Sequence, residues 1–227
     1  MAGMEHASER ARLAREALSG YANGPDAPIE ARAAALVQAA SARSIVLVEG
    51  ISDLIAVETL ARRQGRDLAT EGVAVVPIGG AHAITSHLVR FGPQGDGLAM
   101  SGLCDAAEEE FFRRGLVRAG LGMPRTRTDM ERLGFFVCVE DLEDELIRAS
   151  GRDLIETLLD AQGDLGSFQT LQKQPAWRQR SFEAQMHRFL GAGARRKSRY
   201  AGLLVSALDL DRMPRPLVEV LARAAGP

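Results

Sequence analysis

Four short apolar runs constrain this chain more than any other feature: Ser44-Ile-Val-Leu-Val48, Val73-Ala-Val-Val-Pro-Ile78, Leu98 to Cys104, and Phe135-Phe-Val-Cys-Val139. Their hydrophobicity is continuous, which is what a strand needs when both of its faces are covered. Helical patterns separate them: one capped by Ser52 and Asp53 and running to about Gln64, one from Ala81 to Arg90, one from Ala106 to Ala119, and a last one from about Leu142 to Ala149. Strands spaced by helices need crossover connections, so the spacing predicts an α/β core over 44–150, a mostly parallel four-stranded sheet with helices on both faces. Ahead of it, 4–19 and 29–42 carry alanine-rich helical patterns broken by the turn-rich Tyr21 to Asp26, a helical hairpin over 1–43. After Gly151 the patterns at 152–161, 180–190, 195–209 and 216–224 are helical, a C-terminal helical extension over 151–227 in which Leu203-Leu-Val205 is the only rival strand.

The balance of 46% hydrophobic and 26% charged residues excludes a disordered or collagen-like chain. Lys and Arg total 28 against 30 Asp and Glu, so the net charge of -2 offers no general attraction to a polyanion, and any nucleic-acid surface must be local. One local basic segment exists: between Arg178 and Arg199 there are seven Lys or Arg and a single acid, Glu183. Arg178, Arg180, Arg195, Arg196, Lys197 and Arg199 are the candidate phosphate contacts, against the alternative of an ordinary charged helix face. Trp177, Phe182, Phe189 and Tyr200 lie among these charges and could stack on bases, although their helical spacing favours the core of the C-terminal helices. Cys104 and Cys138 fall inside apolar runs and read as small buried hydrophobes. The N-terminus lacks the apolar stretch of a signal peptide and no run is long enough to cross a bilayer, so the expectation is a cytoplasmic protein with no membrane partner.

The position of the acids is the functional signal. In an open parallel sheet, ligands bind beyond the carboxyl ends of the strands. Glu49 follows the first strand, Asp105 the third, and Glu140 the fourth, with Asp141 and Glu143 just behind; Asp53 lies in the first turn of the next helix, and the flexible Gly79-Gly80 follows the second strand. Carboxylates crowded on one edge repel one another unless protons or cations neutralise them, and hard oxygen donors in that number suit Mg²⁺ or Mn²⁺. The bland alternative is that Asp53, Asp105 and Asp141 only cap helices. His82 and His87 follow the Gly-Gly turn and receive no role.

Val48-Glu49-Gly50-Ile51-Ser52-Asp53 resembles the E-G-x-x-D opening of Toprim domains, the topoisomerase-primase fold, in the form found in the overcoming-lysogenization-defect (OLD) nucleases. Val-Val-Pro-Ile-Gly-Gly ending at Gly80, Gly102-Leu-Cys-Asp105 and Val139-Glu-Asp-Leu-Glu143 follow in the family's order, and Lys197-Ser-Arg-Tyr-Ala201 is similar to a lysine motif near the end of its nuclease domain. The resemblance implies a Toprim-like, Rossmann-like fold and divalent-metal hydrolysis of DNA phosphodiesters. It implies Glu49, Asp53 and Asp105 as metal ligands, Glu143 with Glu140 or Asp141 at a second metal position, and Lys197 at the scissile phosphate; Glu49, Asp105 and Lys197 are thus the expected catalytic groups.

Two departures stand out. Toprim domains usually carry D-x-D at the third strand end, whereas this chain has Asp105-Ala106-Ala107, so the second acid is missing unless Glu108 or Glu109 reaches back from the following helix. OLD proteins typically join the Toprim part to an ATPase, yet Gly191-Ala-Gly-Ala-Arg-Arg-Lys-Ser198 has Arg196 where a P-loop needs glycine and follows no strand, so ATP coupling would need a separate ATPase chain. The expectation is a stand-alone nuclease or nickase; the alternative is a catalytically degenerate Toprim module that binds DNA or an ATPase partner. The helical ends could cover sheet edges or form a homodimer.

Overall fold

The computed structural model describes Tyr21 and residues 26–224; the helical pattern at 4–19 lies outside them. Helix α1 (Ala27–Ala39) precedes β1 (Ser44–Val48), which is buried along its whole length because it occupies the middle of the sheet. β2 (Val73–Pro77) pairs on one side of it and β3 (Ala99–Cys104) on the other, both parallel, and β4 (Phe135–Val137) pairs parallel with β3, for the order β2-β1-β3-β4. Val46 is opposite Val75 and Ser101, and Leu103 is opposite Phe136.

Helix α2 (Ile51–Arg63) carries the chain from β1 to β2. The path to β3 then reverses direction across the sheet through α3 (Ile84–Phe91), and continues to β4 through α4 (Glu109–Arg118) and α5 (Arg127–Arg132). Right-handed crossovers in opposite directions put α2 on one face and α3 with α4 on the other. The reversal also makes the carboxyl ends of β1 and β3 the topological switch point, where a crevice opens between diverging loops.

From β4 the chain enters α6 (Leu142–Ala161), which passes through 150 and 151 with a kink at Gly151 (φ 71°) where two helices are expected from the sequence. Next come α7 (Leu165–Lys173), α8 (Phe182–Gly191), α9 (Ala194–Ala207) and α10 (Arg215–Ala224). These helices are part of the core: α9 packs on α2, and α10 packs on β1, β3 and β4. Two arginines at the end of α2 fasten them. Arg63 Nη1 donates to the Val205 carbonyl at 2.7 Å and to that of Leu208, and Arg66 Nη1 donates to the Leu221 carbonyl at 2.8 Å, satisfying carbonyls that helix ends leave without partners. No helix among the described residues is long and apolar enough to cross a membrane.

The helical reading of 195–209 holds, and its rival strand Leu203-Leu-Val205 lies within α9 with all three side chains buried. Several local expectations need correction. The fourth strand stops at Val137, and Cys138, though buried, is held beyond it by its amide, which donates to the Cys104 carbonyl at 2.9 Å. The N-cap of α2 is Gly50, two residues before Ser52. Helices α5 and α7 were not legible: each is short and carries one fully buried anchor, Met130 and Phe168.

One glycine is demanded by sheet packing. A Cβ at Gly102 would sit 2.7 Å from Phe135 Cδ1 and 3.1 Å from the Leu47 carbonyl oxygen. Gly102→Ala should therefore cost about 1–3 kcal/mol through overpacking, read as a lower urea midpoint; an unchanged midpoint would mean that β4 withdraws freely.

Candidate functional site

The ends of β1 and β3 each deliver an acid to the switch point, and the first turn of α2 adds another. After β1 the backbone turns at Glu49, whose carbonyl accepts from the Gly79 amide at 3.1 Å, tying the first and second strand ends together. Asp53 stands at the third position of α2, where its Oδ2 accepts from the Gly50 amide at 2.9 Å; it is 8% exposed. It therefore caps the helix and faces the crevice with the same carboxyl group. Asp105 follows β3 and opens a 3-10 turn, Ala106–Glu108, closed by the Glu108 amide donating to the Asp105 carbonyl at 3.0 Å. The Ala106 amide donates to the Glu140 carbonyl at 2.8 Å, fixing the third strand end to the fourth.

The 3-10 turn folds Glu108 back so that its carboxyl interacts with that of Glu49 and with the Ala81 amide, and Asp105 interacts with Glu49 as well. Glu108 Oε2 is buried without any donor. Carboxylates crowded this closely are relieved by holding protons or by sharing a cation. Accordingly, burial followed by the charges of Asp53 and Glu49 pushes Asp105 up to about 9. Burial and the Glu49 carboxyl push Glu108 up to about 7. Burial and then Glu143 push Asp53 up to about 7, against the pull of the Gly50 amide and of Lys197.

Beside these acids, Lys197 on the first turns of α9 reaches Glu143 on α6, with Nζ 3.1 Å from Oε2. Glu143 is buried and its carboxyl is raised, chiefly by desolvation. Burial alone would lower the Lys197 ammonium, but Glu143 and then Asp53 outweigh it and raise it, so the charge is permanent at neutral pH.

Residues 42–91 match the model of the overcoming lysogenization defect protein-like TOPRIM domain. The fold is Toprim-like, and residues 42–91 are similar to its OLD-like form. The C-terminal region of the OLD protein of Xanthomonas campestris pv. campestris has the same fold, with a TM-score of 0.60 at 23% identity over 81% of this chain and 95% of that one. The corresponding region from Burkholderia pseudomallei superposes with a TM-score of 0.58 at 20% identity, over 80% of this chain and 96% of that one. No curated protein matches in sequence.

Within this Toprim domain the expected site residues divide. Glu49, Asp53, Asp105 and Glu108 are brought together, with Glu143 and Lys197 as an adjoining pair. Glu140 is exposed and contributes its backbone carbonyl. Asp141 caps α6, its Oδ1 accepting from the Asp144 amide at 2.7 Å, and its Oδ2 lies 2.6 Å from His187 Nε2. Among the described residues no three acidic, imidazole or thiol groups stand as a ready-made cage for a metal ion. The donor set nevertheless fits a hard cation: all oxygens, mutually repelling, one of them buried and orphaned.

The basic segment divides too. Arg196 Nη1 donates to the Phe189 carbonyl at 3.0 Å and its guanidinium lies over the Phe189 ring, while Arg199 pairs with Asp164, which also accepts from the Tyr200 hydroxyl at 2.9 Å. Both arginines hold helices together. Arg178, Arg180 and Arg195 are exposed. Phe182, Phe189 and Tyr200 are core, and Trp177 is half-buried, facing a cleft. His87 is buried with Nδ1 3.0 Å from the Ala83 carbonyl, and His82 packs edgewise on Phe111. Sequence reasoning missed His187, since a single histidine on an amphipathic helix carries no signal until packing sets it against Asp141.

Proposed function

We propose that this chain is a divalent-metal-dependent nuclease that hydrolyses DNA phosphodiester bonds. The observation that carries the reading is the gathering of Glu49, Asp105 and Glu108 at the switch point, close enough for their like charges to interact, with Glu108 Oε2 buried and unpartnered. Such an arrangement is unfavourable for stability alone and is what a cation site requires.

Glu49, Asp53, Asp105 and Glu108 would hold Mg²⁺ or Mn²⁺. The chemistry such a cation supplies when bound is polarisation of the phosphodiester and neutralisation of the charge that develops on it. The protein's own groups do the rest. Asp53, anchored by the Gly50 amide, fixes the carboxyl positions relative to α2. Glu143 aims the Lys197 ammonium, which keeps its proton and offers a compact positive charge to a phosphate entering the crevice. Arg178, Arg180 and Arg195, free of ion pairs among the described residues, would meet the flanking backbone, so binding should weaken steeply with salt.

Supercoiled plasmid incubated with the protein should be nicked in Mg²⁺ or Mn²⁺ and left intact in EDTA. Salt-sensitive DNA binding with no cleavage in either metal would instead support the degenerate binding module.

A further inference from the structure

Sharing Asp105 and Arg180 with the nuclease reading, a cleft of about 790 Å³ opens beside the carboxylates. Asp105, Glu140, Asp141 and Asp144 line it from the strand ends and α6, and Trp177, Arg180, Glu183 and Arg188 from α8 and the segment that leads into it. His187 joins the two through its 2.6 Å contact with Asp141. We propose that this cleft takes an unpaired nucleotide of single-stranded DNA, stacked on Trp177, and so selects single-stranded or locally unpaired DNA as the substrate. The inference rests on the nuclease reading and names its substrate class.

Three observations carry it. First, Trp177 is the sole tryptophan, and it lines this cleft while Phe182, Phe189 and Tyr200 are buried in the core. Second, the loop that presents it is built as a fixed platform. The buried Gln185 donates from Nε2 to the Trp177 carbonyl at 2.8 Å and to the Arg180 carbonyl at 3.1 Å, and its Oε1 accepts from Gln172 at 2.8 Å. A loop backbone held this way lowers the entropic cost of presenting the ring. Third, cations flank the ring: the Arg188 guanidinium is 6.0 Å from its centroid and the exposed Arg180 lines the same cleft. An aromatic ring beside arginines is the usual means of holding a base and its phosphate without reading sequence.

The preference for unpaired DNA follows from base geometry. Inside a duplex both faces of each base are covered by its neighbours, so a stacking partner is available only where the strand is single or a base has left the stack. The cleft volume is that of a small-ligand pocket and suits a nucleotide or two. Phosphates placed along the arginines leave the backbone beside the carboxylates.

The test uses the emission of Trp177 with Ca²⁺ in place of Mg²⁺. A single-stranded oligonucleotide should quench it saturably, while an abasic strand of equal length and a blunt duplex should not. Trp177→Ala should weaken binding of a labelled single strand about tenfold or more, and Trp177→Phe should retain most of it, with thermal melts checking that both are folded. Equal quenching by the abasic strand, equal affinity for duplex, or unchanged binding by Trp177→Ala would overturn the proposal. The two readings fail separately: cleavage with a silent Trp177 removes the stacking site alone, whereas base-dependent quenching without cleavage of any DNA removes the nuclease alone.

Discussion

Asp105→Asn should move activity and stability in opposite directions. Metal-dependent nicking should fall roughly 10³-fold or more, since losing a ligand at the reacting phosphate removes several kcal/mol of charge stabilisation. In metal-free buffer the same variant should be more stable than wild type, by about 1 kcal/mol. The reason is local. Asp105 is half-buried beside Glu49 and Asp53 and resists ionisation up to about 9. An amide in its place has no charge to repel them and has an N–H to donate to Glu49. Nicking assays and urea melts in EDTA measure the two halves. A variant that loses activity and stability together would mark Asp105 as a structural cap, and the cation site would have to be abandoned.

The pH dependence of stability should carry the same signature. Asp105, Asp53 and Glu108 all hold their protons more tightly folded than unfolded, with folded values of about 9, 7 and 7. Their contribution is full below the unfolded carboxylate range and is lost as pH rises through those values, so the melting temperature in EDTA should fall between pH 5 and pH 9. His87, whose pKa burial lowers, acts the other way, gaining stability as pH rises through its unfolded value, but it is one group against three. Divalent cation should reverse the loss. At a hundredfold excess over its Kd a ligand adds about 2.7 kcal/mol, roughly 5–10 °C for a chain of this size, with a larger gain at pH 9 than at pH 5 because cation and protons compete for the same oxygens. A melting temperature that stays flat or rises over this window, and does not respond to Mg²⁺ or Mn²⁺, would show that the carboxylates do not form one electrostatic unit.

The two kinds of residue at this site differ in how they could be read. Glu49 and Asp105 were legible because a continuous apolar run has one end, and whatever follows it in a parallel sheet lies on the ligand-binding edge. Glu108 was legible only as a choice between it and Glu109. The helical pattern from Ala106 gives no sign that the first turn is a 3-10 turn, and it is that turn which swings Glu108 to Glu49 and leaves Glu109 paired with Arg113 and Arg127. The arginines of the basic segment looked alike in the sequence. Packing separated them, sending Arg196 and Arg199 to carbonyl, ring and carboxylate partners inside the helical layer.

By itself, the sequence determined the α/β sheet and the strand ends on which the acids fall, because burial pattern and spacing are local properties that a short window of residues expresses. Only the tertiary structure decided which acids interact, that Lys197 meets Glu143, and that Trp177 faces a cleft while its aromatic neighbours are buried. Those outcomes depend on how α8 and α9 dock against α2 and α6, contacts between residues far apart in the chain that no local pattern encodes.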